Sequence, residues 1–243
     1  MSERRRADLV LVARGLFESR ARARAAIEAG LVKADGRPVA SPSDLIGEAA
    51  AIEAAPPHPY VSRGGVKLAH ALEAFALDPA GLACLDVGAS TGGFTDVLLA
   101  RGAASVTAVD VGRDQLHPRI AADPRVRSLE CTDIRELAAG TVGPVELATI
   151  DVSFISLALV LPALPRHFAP GAALVALIKP QFEVGPAGIG RGGIVRDEGL
   201  AAAAVERIAA LAEALGFARL GLVPSPITGG DGNREWLLGA RHG

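Results

Sequence analysis

Long apolar segments recur through the last three quarters of the chain, and stretches with helical periodicity separate them. The four strongest cover residues 82–88, 105–112, 145–154 and 172–180. Near-continuous apolar runs of this length are typical of strands buried on both faces of a parallel sheet. Weaker strand patterns cover residues 125–130, 218–227 and 234–241. Seven strands with intervening helices predict an α/β domain with an open, mostly parallel, doubly wound sheet.

The first 55 residues follow a different pattern. Residues 6–16 predict a short helix, in which we expect Leu9, Val12 and Ala13 to face inward. Ser19 is a suitable N-cap for a second helix. An Asp-Gly turn then joins two short strand patterns within residues 31–39, and a third short strand is expected near residues 48–54. The sequence therefore predicts a small α+β domain.

These patterns give a domain organisation for the whole chain. The small domain is predicted to cover residues 1–55. A linker, which begins with the prolines of "PPHP", is predicted to cover residues 56–63, and the larger α/β domain is predicted to cover residues 64–243. We expect Arg63, at the end of the linker, to bind RNA close to the path of the substrate.

Charge is distributed unevenly between these parts. The chain of 243 residues has a net charge of −2, but its first forty residues contain nine Lys/Arg and five Asp/Glu. A basic module joined to an acidic body is typical of an enzyme that binds a polyanion. The apolar runs are too short to cross a bilayer, and Cys84 and Cys131 predict neither a disulfide framework nor a zinc site. We therefore expect a cytoplasmic protein without a metal and without stable membrane association.

A glycine-rich loop, "DVGASTGGFTD", follows the first strand of the larger domain. It lacks the GxGxxG pattern of dinucleotide-binding loops, and an acidic residue at the strand end suits a cationic ligand. A second carboxylate, Asp110, ends the next strand and could accept hydrogen bonds from both hydroxyls of a ribose. These features indicate S-adenosylmethionine. The predicted cofactor-binding residues are Asp86, Gly88, Ser90, Thr91, Gly92, Gly93, Asp110 and Asp133.

Charged residues also follow later strands of the predicted sheet. Asp151 and Lys179 end two central strands, and Glu235 opens the last one. Burial of a lysine is costly and favours its neutral form. Since the carboxyl ends of strands in such a sheet meet at one edge, we expect these three residues to share a site with the cofactor.

Two family resemblances extend this interpretation. The segment "SRARARAAIEAGLVKADGRPV" resembles the S4 RNA-binding domain, which implies that Arg20, Arg24, Lys33 and Arg37 contact RNA phosphates. The larger domain resembles RNA ribose 2′-O-methyltransferases of the FtsJ type, which use a Lys–Asp–Lys–Glu tetrad. The tetrad residues in this chain, in order, are Lys67, Asp151, Lys179 and Glu235.

Together, the two parts resemble the TlyA family of bacterial ribosomal RNA methyltransferases, also described as hemolysins. The resemblance implies methylation of a cytidine 2′-hydroxyl in 16S or 23S rRNA, free or within ribosomal subunits. Lys179 would act as general base or steer the hydroxyl, and Lys67 would favour its neutral form and hold the substrate. Asp151 and Glu235 would orient the lysines. Asp133 departs from the asparagine expected in the family.

Two other functions remain open from the sequence. One is a membrane-acting hemolysin, against which the absence of a spanning segment counts. The other is an RNA-binding protein without catalysis, against which the complete tetrad counts.

Overall fold

The computed structural model describes residues 4–243, which divide into two compact units after Pro59. The elements of the first unit are β1 (Arg4–Arg6), α1 (Ala7–Ala13), α2 (Arg20–Glu28), β2 (Val32–Ala34), β3 (Arg37–Pro38), β4 (Leu45–Gly47) and β5 (Ile52–Ala54). One small antiparallel sheet has the order β3-β2-β5, and β1 pairs with β4. The hairpin and third strand are as predicted, whereas β1 and β4 were not predicted.

The two helices of this unit enclose a small apolar core. Ser19 accepts a hydrogen bond from the backbone N–H of Arg22 and so caps α2 as predicted. The predicted inward face of α1 is wrong for Ala13, which is exposed, and it omits Val10 and Leu11, which are buried, whereas Val12 packs against the core. Almost every residue of α1 is apolar, so periodicity alone does not define its inner face.

The second unit begins at Tyr60. Its elements are α3 (Gly64–Ala74), β6 (Ala83–Val87), α4 (Gly93–Ala100), β7 (Ser105–Val109), α5 (Pro118–Ala121), β8 (Val126–Leu129), β9 (Val145–Ile150), α6 (Leu157–Val160), β10 (Phe168–Ile178), α7 (Glu198–Ala214), β11 (Phe217–Pro224) and β12 (Trp236–His242). Residues 155–167, between β9 and β10, do not form one continuous helix. Pro162 and Pro165 divide this segment into α6 and two 3₁₀ turns.

The seven strands of this unit form one sheet in the order β11-β12-β10-β9-β6-β7-β8. All neighbouring pairs are parallel except those of β12, which runs antiparallel to both β10 and β11. The predicted mostly parallel, seven-stranded sheet is confirmed. The chain reverses its direction of progress across the sheet between β6 and β9, and ligands bind such sheets beyond the carboxyl ends of the strands at this point.

Both faces of the sheet are covered. Along β10, Leu174, Ala176 and Ile178 belong to a core shared with α7, whereas Val175 and Leu177 belong to a core shared with α3 and α4. This alternation explains the continuous apolar pattern of the strand, since side chains on each face are buried. Across residues 4–243, the structure contains no helix long and apolar enough to cross a bilayer.

Candidate active site

The loop between β6 and α4 forms the base of the site. Gly88 has φ +81°, and a β-carbon there would lie 2.5 Å from the backbone oxygen of Asp151. Only glycine tolerates both the left-handed conformation and this close approach. Gly92, at φ +88°, is the N-cap residue of α4 and lines neither of the two cavities described below. Gly88 thus allows the β6 loop to pack closely against the loop that follows β9.

A first cavity, of about 350 Å³, opens beyond the carboxyl ends of β6, β7 and β9. The predicted cofactor residues Gly88, Ser90, Asp110 and Asp133 line it. The two oxygens of Asp110 accept hydrogen bonds from the backbone N–H groups of Ser90 (2.8 Å) and Gly112 (2.7 Å). Each carboxylate oxygen has a further lone pair. This arrangement fits a ribose, because a fixed carboxylate can still accept bonds from two hydroxyl groups.

The rest of the first cavity also suits a nucleoside. Val111, Ile134 and Ile155 provide apolar lining. Asp133 lies there too, 2.6 Å from the guanidinium of Arg135, whose hydrogen bond lowers the pKa of the aspartate. Asp133 is therefore an anion at this cavity that is already paired with a cation.

Asp86 does not line the cavity in which it was predicted to contact the cofactor. Its side chain is fully buried and lines neither cavity. Its oxygens accept hydrogen bonds from the hydroxyls of Thr95 (2.7 Å) and Thr149 (3.1 Å). Burial raises the pKa of Asp86 to about 6, although the two hydroxyl bonds lower it, and the charge of Asp151 adds a smaller increase. In this structure Asp86 therefore supports the loop from beneath.

The raised pKa of Asp86 predicts a specific pH dependence of folding. The protonated carboxyl stabilises the fold below the unfolded pKa of 3.8, and this stabilisation is lost as the pH rises through about 6. The difference corresponds to about 3 kcal/mol. We expect Asp86→Asn, relative to wild type, to gain stability progressively between pH 4 and pH 7. Denaturant unfolding at several pH values measures this, and a difference that is constant with pH would contradict it.

A second cavity, of about 320 Å³, contains the four residues of the predicted tetrad. Lys67 projects from α3, Asp151 and Lys179 follow β9 and β10, and Glu235 precedes β12. Because β12 is antiparallel to β10, its first residue lies at the same edge of the sheet as the last residue of β10. The topology therefore brings together residues that are up to 168 positions apart.

The tetrad consists of two lysine–carboxylate pairs. Lys67 forms an ion pair with Glu235, and their side chains are 6% and 3% exposed. Lys179 Nζ lies 2.6 Å from Asp151 Oδ1 and donates a hydrogen bond of 2.8 Å to Ser153 Oγ. The contact with Asp151 is an ion pair without good hydrogen-bond alignment, since Asp151 Oδ1 has no hydrogen-bond partner among residues 4–243. Each lysine of the tetrad thus has a carboxylate of opposite charge beside it, as a buried charge requires.

The two cavities are adjacent. They share lining residues, namely Gly88, Ser90, Asp151, Ser153 and Phe154. Thr91, Gly93 and Arg63, also predicted as site residues, line the second cavity. The sequence did not predict Phe154 as a site residue. Its side chain is 91% exposed, and its backbone has φ +64°. Within residues 4–243, no group of three His, Cys, Asp or Glu residues could hold a metal ion.

The predicted RNA-contacting residues of the first unit have different surroundings. Arg20 lies 2.9 Å from the buried carboxylate of Asp8, and Lys33 lies 3.5 Å from Glu53. A hydrogen bond from Arg6, together with the bonds and charge of Arg20, lowers the pKa of Asp8 to about 2. Arg24 and Arg37 are exposed. Arg20 therefore stabilises the unit, while its side chain remains 56% exposed.

Comparison with known proteins agrees with this organisation. A model of the FtsJ-like methyltransferase family matches residues 60–242, and a model of the S4 domain matches residues 5–52. The chain is 47% identical to the 16S/23S rRNA (cytidine-2′-O)-methyltransferase TlyA of Mycobacterium tuberculosis, over 99% of this chain and 91% of the relative. It is 37% identical to hemolysin A of Brachyspira hyodysenteriae, over 96% of this chain and 98% of that one.

A solved structure of similar architecture comes from Streptococcus thermophilus and is described as a hemolysin. It covers all of this chain and 90% of its own length, with 42% identity and a TM-score of 0.77. The similarity therefore extends over the S4-like unit, the sheet and the segments that carry the tetrad. The chain belongs to the FtsJ-like methyltransferase family, within the TlyA group that joins an S4 domain to the methyltransferase domain.

Proposed function

We propose that this protein methylates the ribose 2′-hydroxyl of a cytidine in ribosomal RNA, using S-adenosylmethionine. The observation that carries the proposal is the pair of lysine–carboxylate contacts that line a cavity adjacent to the one lined by Asp110. The cytidine and the ribosomal RNA are those named for the relative of 47% identity. The proposed place of action is the cytoplasm.

The first cavity is proposed to hold the cofactor. Asp110 would accept hydrogen bonds from the ribose hydroxyls, and Val111, Ile134 and Ile155 would contact the adenine. Gly88 would allow the backbone of the β6 loop to approach the ligand closely, because it has no side chain. Its positive φ and its close contact with the backbone of Asp151 also require a glycine. When bound, S-adenosylmethionine supplies an activated, electrophilic methyl group.

The remaining chemical task is to align the ribose hydroxyl and remove its proton. An ammonium group has three N–H donors. That of Lys179 donates one to Ser153 and forms an ion pair with Asp151, which leaves a donor for the hydroxyl oxygen. Release of one of these protons to solvent before the reaction leaves the neutral amine of Lys179, which can accept the proton of the hydroxyl. Asp151 and Ser153 hold the nitrogen in place. Alignment of two reactants can contribute about 7–11 kcal/mol to lowering a barrier.

Lys67 and Glu235 are proposed to have a different role. Glu235 neutralises Lys67 in a region where both side chains are nearly inaccessible to water. Lys67 lines the cavity beside Arg63, and this places two cationic side chains where a phosphate or ribose could bind. The Lys67–Glu235 pair would therefore bind and orient the RNA, while Lys179 handles the proton.

The S4 domain is proposed to bind the RNA backbone through Arg20, Arg24, Lys33 and Arg37. We expect Arg24→Ala and Arg37→Ala each to weaken RNA binding similarly for different sequences. Each should reduce the slope of log K against log salt by about 1, because each phosphate contact releases one counterion. Titration of labelled rRNA fragments at several salt concentrations measures both effects. Arg101→Ala, in the other unit and paired with Glu73, is the matched control.

Equal salt slopes for the wild type and both variants would contradict phosphate binding by these arginines. We expect Arg20→Ala to differ from the other two, since it also leaves the buried Asp8 with one fewer partner. Its loss of RNA affinity should come with a lower thermal stability of the S4 domain.

The substrate is proposed to be ribosomal RNA within ribosomal subunits. Transfer of labelled methyl groups to isolated 30S and 50S subunits, and to the free 16S and 23S rRNAs, tests this directly. Incorporation into at least one subunit is the expected result. Absence of incorporation into every rRNA substrate, together with leakage of liposomes by the purified protein, would support a membrane-acting function in its place.

A further inference from the structure

Two loops that carry catalytic residues run beside each other. One, residues 151–157, follows β9, and the other, residues 179–183, follows β10. Lys179 links their beginnings through Asp151 and Ser153. Farther along, the rings of Phe154 and Phe182 lie 5.3 Å apart.

Glu183 links the far ends of the same loops. Its carboxylate accepts hydrogen bonds from Ser156 Oγ (2.6 Å) and from the backbone N–H of Leu157 (2.8 Å). Ser156 Oγ in turn accepts a bond from the N–H of Ala158, in the first turn of α6. The backbone oxygen of Glu183 accepts a bond of 2.6 Å from Arg207 of α7. Glu183 therefore connects the β9 loop to a long helix of the second unit.

The environment of Glu183 makes it difficult for water to replace these hydrogen bonds. The residue is only 8% exposed, and none of the ion pairs found among residues 4–243 involves its carboxylate. A buried carboxylate without a cation depends on its hydrogen bonds, since their loss would leave a charge with neither water nor partner. The bonds from Ser156 and Leu157 are thus expected to persist as long as the unit is folded.

We propose that Glu183 is a positioning residue that sets the relative placement of the loops bearing Asp151 and Lys179; this inference rests on the proposed function. At its start, the β9 loop is fixed by the bond from Asp151 N–H to the oxygen of Val87. Glu183 fixes the other end. Without it, Asp151 and Ser153 can shift relative to Lys179, and a displacement of about 1 Å can lower a rate by about a hundredfold.

The test compares Glu183→Ala, Glu183→Gln and Ser156→Ala. In single turnovers at saturating cofactor and RNA, we expect Glu183→Ala to be about tenfold to a hundredfold slower than wild type. Glu183→Gln should stay within about threefold, because its amide oxygen can accept from Leu157 and its NH₂ can donate to Ser156. The double variant with Ser156→Ala should be no slower than Glu183→Ala alone, since both act through one contact.

Glu146→Ala is the matched control, because Glu146 also accepts a backbone N–H bond, from Ala83, but lies outside the two cavities. Its single-turnover rate should equal that of the wild type. A folded Glu183→Ala variant within twofold of wild type would overturn the inference, and so would a Glu183→Gln variant as slow as Glu183→Ala. If Glu183→Ala does not fold, Ser156→Ala decides, since it removes one of the two bonds to the carboxylate: it should be slower than wild type by more than twofold, and a rate within twofold would overturn the inference.

A second readout is independent of methyl transfer. Amide hydrogen exchange over residues 151–157 should be faster in Glu183→Ala than in wild type and close to wild type in Glu183→Gln. Unchanged exchange in Glu183→Ala would overturn the positioning role even in the absence of any activity. If the wild type methylates no rRNA but exchange is faster in Glu183→Ala, the proposed function is refuted and the positioning of the β9 loop by Glu183 is retained.

Discussion

Replacement of Lys179 by alanine is expected to lower the rate of methyl transfer by about 10²–10⁴, which is the usual contribution of a general base. Lys179 lies 2.6 Å from Asp151 and bonds to Ser153, so its nitrogen has a fixed place in the cavity. The measurement is the single-turnover rate with saturating rRNA and cofactor. Cofactor affinity should change much less than the rate, since Lys179 does not line the first cavity.

Lys179→Arg distinguishes the charge of the lysine from its ability to accept a proton. An arginine restores a cation near Asp151, but it stays protonated in proteins. We therefore expect Lys179→Arg to be nearly as slow as Lys179→Ala. Methyl transfer within a few-fold of wild type in both Lys179→Ala and Lys67→Ala would contradict the proposed roles of the lysines.

Replacement of Glu235 by alanine is expected to destabilise the methyltransferase domain by about 3–5 kcal/mol, because it leaves the buried ammonium of Lys67 unpaired. Denaturant unfolding measures this loss. Glu198→Ala is the matched control, since Glu198 pairs with Arg234 on the surface, where both side chains are more than two thirds exposed. Loss of such a pair should cost less than about 1 kcal/mol.

The double variant Lys67→Met, Glu235→Met separates folding from function at the same pair. Apolar residues of similar size often replace a buried ion pair without loss of stability. We expect the double variant to recover most of the stability lost in Glu235→Ala, while methyl transfer remains low. A double variant that is both stable and active would refute a functional role for this pair.

The strand pattern was sufficient to predict the sheet and the meeting of Asp151, Lys179 and Glu235, whereas Lys67 was assigned to the site through the family resemblance. Apolar runs located the strands, and the parallel arrangement placed Asp151 and Lys179 at the same edge. The structure adds that β12 is antiparallel, which is why Glu235 must precede its strand to reach that edge. The particular pairing of Lys67 with Glu235 depends on how α3 packs against the sheet, and no local pattern specifies this.

Other features depended on tertiary contacts. Asp86 was expected in the cofactor site, but hydroxyls from α4 and β9 satisfy its carboxylate beneath the loop. A sequence shows neither that Thr95 and Thr149 would converge there nor that Glu183 would reach the start of α6. The strand β1 was missed because three consecutive arginines carry no apolar alternation. In each case at least one deciding partner is distant in sequence.

The most direct test of the central claim is the position of the methyl group on the RNA. Wild-type protein would be incubated with ribosomal subunits and S-adenosylmethionine labelled in its methyl group, and the extracted rRNA would be hydrolysed with alkali. Alkaline cleavage requires a free 2′-hydroxyl, so a 2′-O-methylated nucleotide survives within a dinucleotide. The account predicts label in an alkali-resistant dinucleotide whose first nucleoside is cytidine. Label recovered only in mononucleotides, as methylation of a base would give, would contradict it.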